Sequence, residues 1–160
     1  LIGDALADAI YSLELESGTI RLISRDGDRG DGEPFETIVS LAHSGSPTEI
    51  FAGDQATGVI YRVNLETGDR EALFTNCRSA NDPYYETLMK IRYNEAANEL
   101  LFLDDWAFTF DIDRNDCDLL PRRRTLLDLL PASDNRLLAT MFGALIQYDR
   151  DTGEIVYISK

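Results

Sequence analysis

Two lysines, two cysteines, one histidine and one tryptophan among 160 residues leave little room for several kinds of chemistry. The single histidine, His43, sits in the turn-like run His43-Ser44-Gly45-Ser46-Pro47. No Gly-x-Ser-x-Gly elbow and no Cys/His pair accompanies it, so nucleophilic catalysis has no support and no catalytic residue is assigned. P-loop and dinucleotide fingerprints are also missing. No apolar run approaches the ~18 residues of a membrane-spanning helix, and the first residues lack the basic start of a signal peptide. Basic residues are scarce as well: 15 against 29 acidic ones, for a net charge of −14 and a pI near 4.3. That balance argues against nucleic acid or an anionic membrane as a partner, because both attract basic proteins.

What is present is a chain 44% apolar with mean hydropathy −0.22, long enough to bury a core. The acid is spread evenly, with 14 acidic and 6 basic residues in positions 1–80 and 15 and 9 in positions 81–160. Only Arg122-Arg123-Arg124 breaks the pattern. The chain opens Leu1-Ile2-Gly3-Asp4, without a Met.

Internal repetition decides the fold class. Gly3-Asp4-Ala5-Leu6-Ala7-Asp8-Ala9-Ile10-Tyr11-Ser12-Leu13-Glu14-Leu15-Glu16-Ser17-Gly18 lies over residues 53–68, Gly-Asp-Gln-Ala-Thr-Gly-Val-Ile-Tyr-Arg-Val-Asn-Leu-Glu-Thr-Gly, at an ungapped offset of 50. Residues 37–54 lie over 87–104 at the same offset. A third match starts Thr125-Leu126-Leu127-Asp128-Leu129, and the tail Leu145–Gly153 repeats Ile60–Gly68. Each unit reads as four short strands. Val59–Leu65 and Arg70–Phe74 flank Glu66-Thr67-Gly68-Asp69, a hairpin signal because Gly supplies the positive φ of a tight turn. Thr37–Ala42 pairs with Glu49–Gly53, Thr87–Tyr93 with Glu99–Leu103, and Thr125–Leu130 with Arg136–Met141. Ala5–Glu16 and Glu86–Trp106 are rich enough in Ala, Leu and Glu to suggest helix. Their repeat counterpart Val59–Leu65 has a strand composition, and aligned repeats should share one conformation.

Four-stranded units of 40–50 residues describe β-propeller blades. Glu49-Ile50-Phe51-Ala52-Gly53-Asp54, followed by Gly58–Leu65 and Asp69–Leu73, resembles blades of the YWTD, NHL and SMP-30/gluconolactonase-like propellers. Glu99-Leu100-Leu101-Phe102-Leu103-Asp104 keeps the apolar strand closed by Asp, whereas the last unit has Met141 there. No Tyr-Trp-Thr-Asp, WD40 or kelch signature is present. The expected fold is all-β: a propeller segment of three complete blades, at 34–74, 83–121 and 124–159, plus the outer strands of a fourth at about 1–24. An open ring exposes apolar faces and strand edges. The segment is therefore expected to belong to a larger or multi-chain propeller, completed by an upstream part of the chain or by a protein partner, and the start at Leu1 fits a missing portion.

In such a fold the inner strands open at one face, which also carries the loops between second and third strands. Glu36, Glu86 and Arg124 would ring the channel mouth, joined by Asp54, Asp104, Asp105 and Trp106. Two readings follow: a ligand or divalent-cation site, since hard cations take several carboxylate oxygens, or repeat residues whose carboxylates pair with Arg124. The resemblance to SMP-30-like lactonases implies a metal in this region, but their Asn pair and aspartate have no counterparts here. Asp26-Gly27-Asp28-Arg29-Gly30-Asp31-Gly32-Glu33 looks like a Ca2+ loop, although its register departs from the EF-hand pattern. Arg29-Gly30-Asp31 also spells an integrin-binding tripeptide. Phe35, Tyr84, Tyr85 and Trp106 could form a partner surface or pack between blades. Cys77 and Cys117 can form one bridge in an oxidising compartment or stay free in the cytosol. The resemblance, whose members are often exported, tilts both the bridge and the location toward extracellular or periplasmic. The expected function is a non-enzymatic interaction module; the rivals are a metal-dependent lactonase fragment and a calcium-stabilised adhesion propeller.

Overall fold

The computed structural model describes residues 1–74, 90–103, 107–120, 126–132, 135–141 and 143–159. The strands are β1 (Ile2–Asp4), β2 (Ala9–Leu13), β3 (Ile20–Arg25), β4 (Ile38–His43), β5 (Glu49–Asp54), β6 (Ile60–Asn64), β7 (Arg70–Phe74), β8 (Lys90–Asn94), β9 (Glu99–Leu103), β10 (Ala107–Asp111), β11 (Asp116–Leu119), β12 (Asp128–Pro131), β13 (Arg136–Met141), β14 (Ala144–Asp149) and β15 (Ile155–Ser159). They form four antiparallel meanders, ordered β1-β2-β3, β4-β5-β6-β7, β8-β9-β10-β11 and β12-β13-β14-β15. The two stretches with helix-forming composition hold strands; among their described residues the helical signal survives only as a 3-10 turn at Glu95–Ala97. The last inner strand starts at Asp128, with Leu126 and Leu127, expected within it, lying ahead of it.

Burial explains why a helix-like composition folds this way. All five residues of β9, Glu99–Leu103, are buried, as are five of the six in β5. A strand covered on both faces needs an apolar run rather than alternation, and such a run looks like a buried helix. In β14, which is covered on one face, burial alternates residue by residue.

The chain divides into two compact units, the first carrying β1–β7 and the second β9–β15. The first is built on Ile10, Ile23, Phe35, Ile38, Ile50, Val59, Tyr61 and Val63. Phe35 meets Tyr61 edge-on, with ring centroids 5.3 Å apart. Its burial makes Phe35 core packing rather than partner surface. The second is built on Leu101, Leu103, Leu120, Leu129, Leu137, Ile146 and Tyr148.

One turn recurs through both units. Asp4, Asp54, Asn64, Asp111 and Asp149 each accept, on one side-chain oxygen, the backbone N–H groups two and three residues ahead. Four residues ahead, the backbone takes a positive φ at Asp8, Gly58, Gly68, Asn115 and Gly153. Short side-chain acceptors suit this geometry because they satisfy amides that no strand partner reaches.

Candidate functional site

Of the seven residues expected at the channel mouth, Glu86, Arg124, Asp104, Asp105 and Trp106 lie outside the described residues, as do Tyr84, Tyr85 and Cys77. Glu36 and Asp54 are described. Asp54 closes β5 and is fully enclosed. One carboxylate oxygen accepts the amides of Ala56 at 3.0 Å and Thr57 at 3.1 Å. The other accepts those of Glu36 at 2.6 Å and Thr37 at 3.2 Å, while the Gln55 N–H reaches Thr37 O at 2.8 Å. With four amides on its two oxygens, this carboxylate clasps the turn after β5 to the start of β4. Asp54, expected at the channel mouth, thus has both carboxylate oxygens engaged by backbone amides. Glu36, whose backbone Asp54 fixes, leaves its side chain exposed. Beside Asp54, the Tyr61 hydroxyl is pushed above its usual range, first by burial and then by that carboxylate.

The second candidate was the acidic loop after β3. It does surround a cation, and the cation is Arg70. The Arg70 side chain is 1% exposed. Its guanidinium donates to Glu33 O at 2.9 Å, Ser24 Oγ at 2.9 Å, Gly30 O and Gly32 O at 3.3 Å, and Arg29 O at 3.4 Å. Asp26 adds a carboxylate at 3.6 Å, and the Phe35 ring lies 5.2 Å away. The other two aspartates are engaged separately. Asp28 pairs with Arg25 at 3.0 Å. Asp31 joins the β6–β7 hairpin through its main chain, donating to Asp69 and accepting from the Arg70 N–H. Among the described residues, no three acidic, His or Cys side chains gather as a metal site requires. The oxygens this loop arrays around Arg70 are main-chain carbonyls with the Asp26 carboxylate, so the positive charge they surround is the protein's own.

The tripeptide Arg29-Gly30-Asp31 is packed rather than displayed. Arg29 donates to Leu22 O and Glu66 O, and a Cβ on Gly30 would lie 1.9 Å from Gly68 O. His43 accepts the Gly45 N–H on Nδ1, as a turn histidine would. Cys117 lies on β11, and no described cysteine is a free thiol.

Sequence reasoning missed Arg70 and Ser24, and with them Arg150. Arg150 makes a two-pronged pair with Glu99 at 2.7 and 2.6 Å, and Asn94 supplies a further donor to Glu99 at 2.7 Å. No motif marks Arg70 and Ser24, since backbone carbonyls carry no letter, and Arg150 lies 51 residues from Glu99 in the sequence. The turn residues did leave a signal, Asp or Asn followed four places later by Gly or Asn.

No family model and no curated protein matches this chain. Solved structures do. The structure of U3-55K, a WD40 β-propeller, superposes with TM-score 0.66 at 13% identity, over 96% of this chain and 46% of that one. The chain thus spans less than half of the structure it matches. At that identity the likeness shows fold alone: this is a β-propeller segment of three four-stranded blades plus a three-stranded one.

Proposed function

We propose that this propeller segment is a non-enzymatic interaction module whose protein partner sits at the face where the inner strands open. The observation that carries it is Glu36: an exposed carboxylate on a backbone anchored by the enclosed Asp54. A backbone already fixed at the contact lowers the ordering entropy a partner must offset on binding. Glu86, Arg124, Asp104, Asp105 and Trp106 complete the proposed face by their places in the repeat, and the −14 charge favours a basic partner. Within the propellers we group these blades with the YWTD, NHL and SMP-30-like kind. Cys77 and Cys117 pair, which suits an oxidising compartment; support comes from the absence of a free thiol among the described cysteines.

The test is a charge reversal. Glu36→Lys should reduce partner retention at least tenfold, whereas Ser46→Lys, in the turn at the other end of β4, should leave it unchanged. Equal effects would sink the assignment of the face. Lactone turnover would replace the module by a hydrolase, and calcium-dependent melting lost in Asp28→Asn would replace it by an adhesion propeller. Mass after alkylation with and without reduction decides the bridge.

A further inference from the structure

We propose that the outer edge of β15 takes an added strand: an extended segment of a basic partner protein whose lysine or arginine pairs with Glu154. This surface lies on the last sheet and does not rest on the partner at Glu36. β15 is a terminal strand, with β14 as its one neighbour among the described residues. A terminal strand offers main-chain donors and acceptors to another chain, and charged side chains are a common way to blunt it. The other three outer strands are blunted so: β3 carries exposed Arg21 and Arg25, β7 Glu71, and β11 Asp116 and Asp118. β15, Ile155-Val156-Tyr157-Ile158-Ser159, carries no charge. Val156, Tyr157 and Ile158 are 53%, 49% and 52% exposed. Neighbouring strand residues point to opposite faces, so a layer laid on the sheet covers only some of them. A strand added at the edge flanks both faces.

Register and charge specify the occupant. The Asp149 N–H donates to Glu154 O at 2.9 Å, Ile155 lies opposite Tyr148, and Val156 lies opposite Gln147. Hydrogen-bonding direction alternates along a strand, so Ile155 turns its main chain from β14 toward the open edge. Glu154 and Val156 share one face, where they line a pocket of about 60 Å³ with Arg136, Gln147 and Asp149. Arg136 donates to Gln147 at 3.4 Å, and Asp149 accepts the amides of its own turn. The exposed Glu154 carboxylate makes no ion pair or hydrogen bond among the described residues. It calls for a cation, and the net charge of −14 favours one on a basic partner. In an antiparallel added strand, the residue before the one opposite Ile155 meets Val156, and the residue after it meets Glu154. The occupant therefore reads apolar-x-Lys or apolar-x-Arg. The chain's own run of that pattern, Ile158-Ser159-Lys160, suits the role less well. The bulge at Leu145/Ile146 sets Ser159 opposite Leu145, with its main chain turned toward β14 rather than outward, and a second copy adds a further −14.

A fluorescent peptide, Thr-Val-Thr-Val-Thr-Lys-Thr, titrated into the 160-residue chain tests this by anisotropy. It should bind saturably, with its second valine against Val156 and its lysine against Glu154. N-methylation of the threonine between those two removes the amide that bonds Ile155 O and should weaken binding at least tenfold. Exchanging the peptide lysine for glutamate should weaken it as much, and Glu154→Lys in the protein should recover the glutamate peptide. Glu36→Lys should leave the titration unchanged, which separates this edge from the face proposed above. Equal binding of the methylated peptide, no recovery on charge exchange, or no binding at all overturns the site. Sedimentation as a dimer that the peptide dissociates overturns the basic partner in favour of a second copy.

Discussion

The first and second sheets carry the same sequence pattern 50 residues apart, yet equivalent positions meet different fates. Asp54 is enclosed and accepts four amides, while Asp4 is half-exposed and accepts two. Arg70 is buried in a cradle of carbonyls, while its counterpart Ile20 is 61% exposed. Gly58 and Asp8 occupy the same turn position, at φ 68° and 48°. The difference lies in the neighbours rather than in the repeat. Asp54 has an inner strand to hold, and Arg70 has the loop from the preceding sheet to fill. Nothing among the described residues plays either part for Asp4 or Ile20. A repeat residue is thus structural only where the next element is present to receive it.

The comparison breaks most readily at Arg70. Arg70→Met should cost about 3–5 kcal/mol in urea unfolding, because it strands a buried hydroxyl and several carbonyls at once. Ile20→Arg, the reciprocal change, should stay within about 0.5 kcal/mol, having no cradle to enter. Asp54→Ala should cost about 2–4 kcal/mol and Asp4→Ala about 1 kcal/mol, in line with four amides lost against two. Asp8→Gly should stabilise the fold by about 0.5–1 kcal/mol. That change removes a non-glycine residue from positive φ together with a buried carboxylate oxygen that has no hydrogen-bond partner among the described residues.

The smallest effect concerns acid. Asp69 and Asp149 are held below the ordinary carboxylate value of 3.8, Asp69 first by the Asp31 amide and then by the Thr67 hydroxyl, Asp149 by the Thr152 amide and hydroxyl. A carboxyl with a lowered folded pKa stabilises above its unfolded value, and that contribution fades as pH falls through the folded one. Melting temperature should therefore decline below about pH 4. Asp69→Asn and Asp149→Asn should each flatten that decline slightly, and unchanged slopes would remove the carboxylates from the account.

Much of the fold could be read from the letters. The offset of 50 overrode helix propensity in Ala5–Glu16 and located the hairpins at Gly18 and Gly68, and the third match located the one at Gly153. The candidate site was read less well, for a definite reason. Asp54 and the acidic loop were assigned by which oxygens they could offer a ligand, whereas their oxygens serve amides and a guanidinium of the protein itself. Residue type reports the capacity to accept a hydrogen bond and is silent on the donor. The spacing of Asp or Asn to Gly four residues on was present in the letters at Asp54, Asn64 and Asp149, but Asp26 and Asp28 share it, so spacing alone does not separate the two uses.

Amide hydrogen exchange at Glu36 and Thr37 tests the clasp most directly. If Asp54 holds the opening of β4, both amides exchange slowly although Glu36 is exposed, and Asp54→Ala accelerates them together with those of Ala56 and Thr57. Rapid exchange of Glu36 and Thr37 in the parent chain, or rates unmoved by Asp54→Ala, would contradict it.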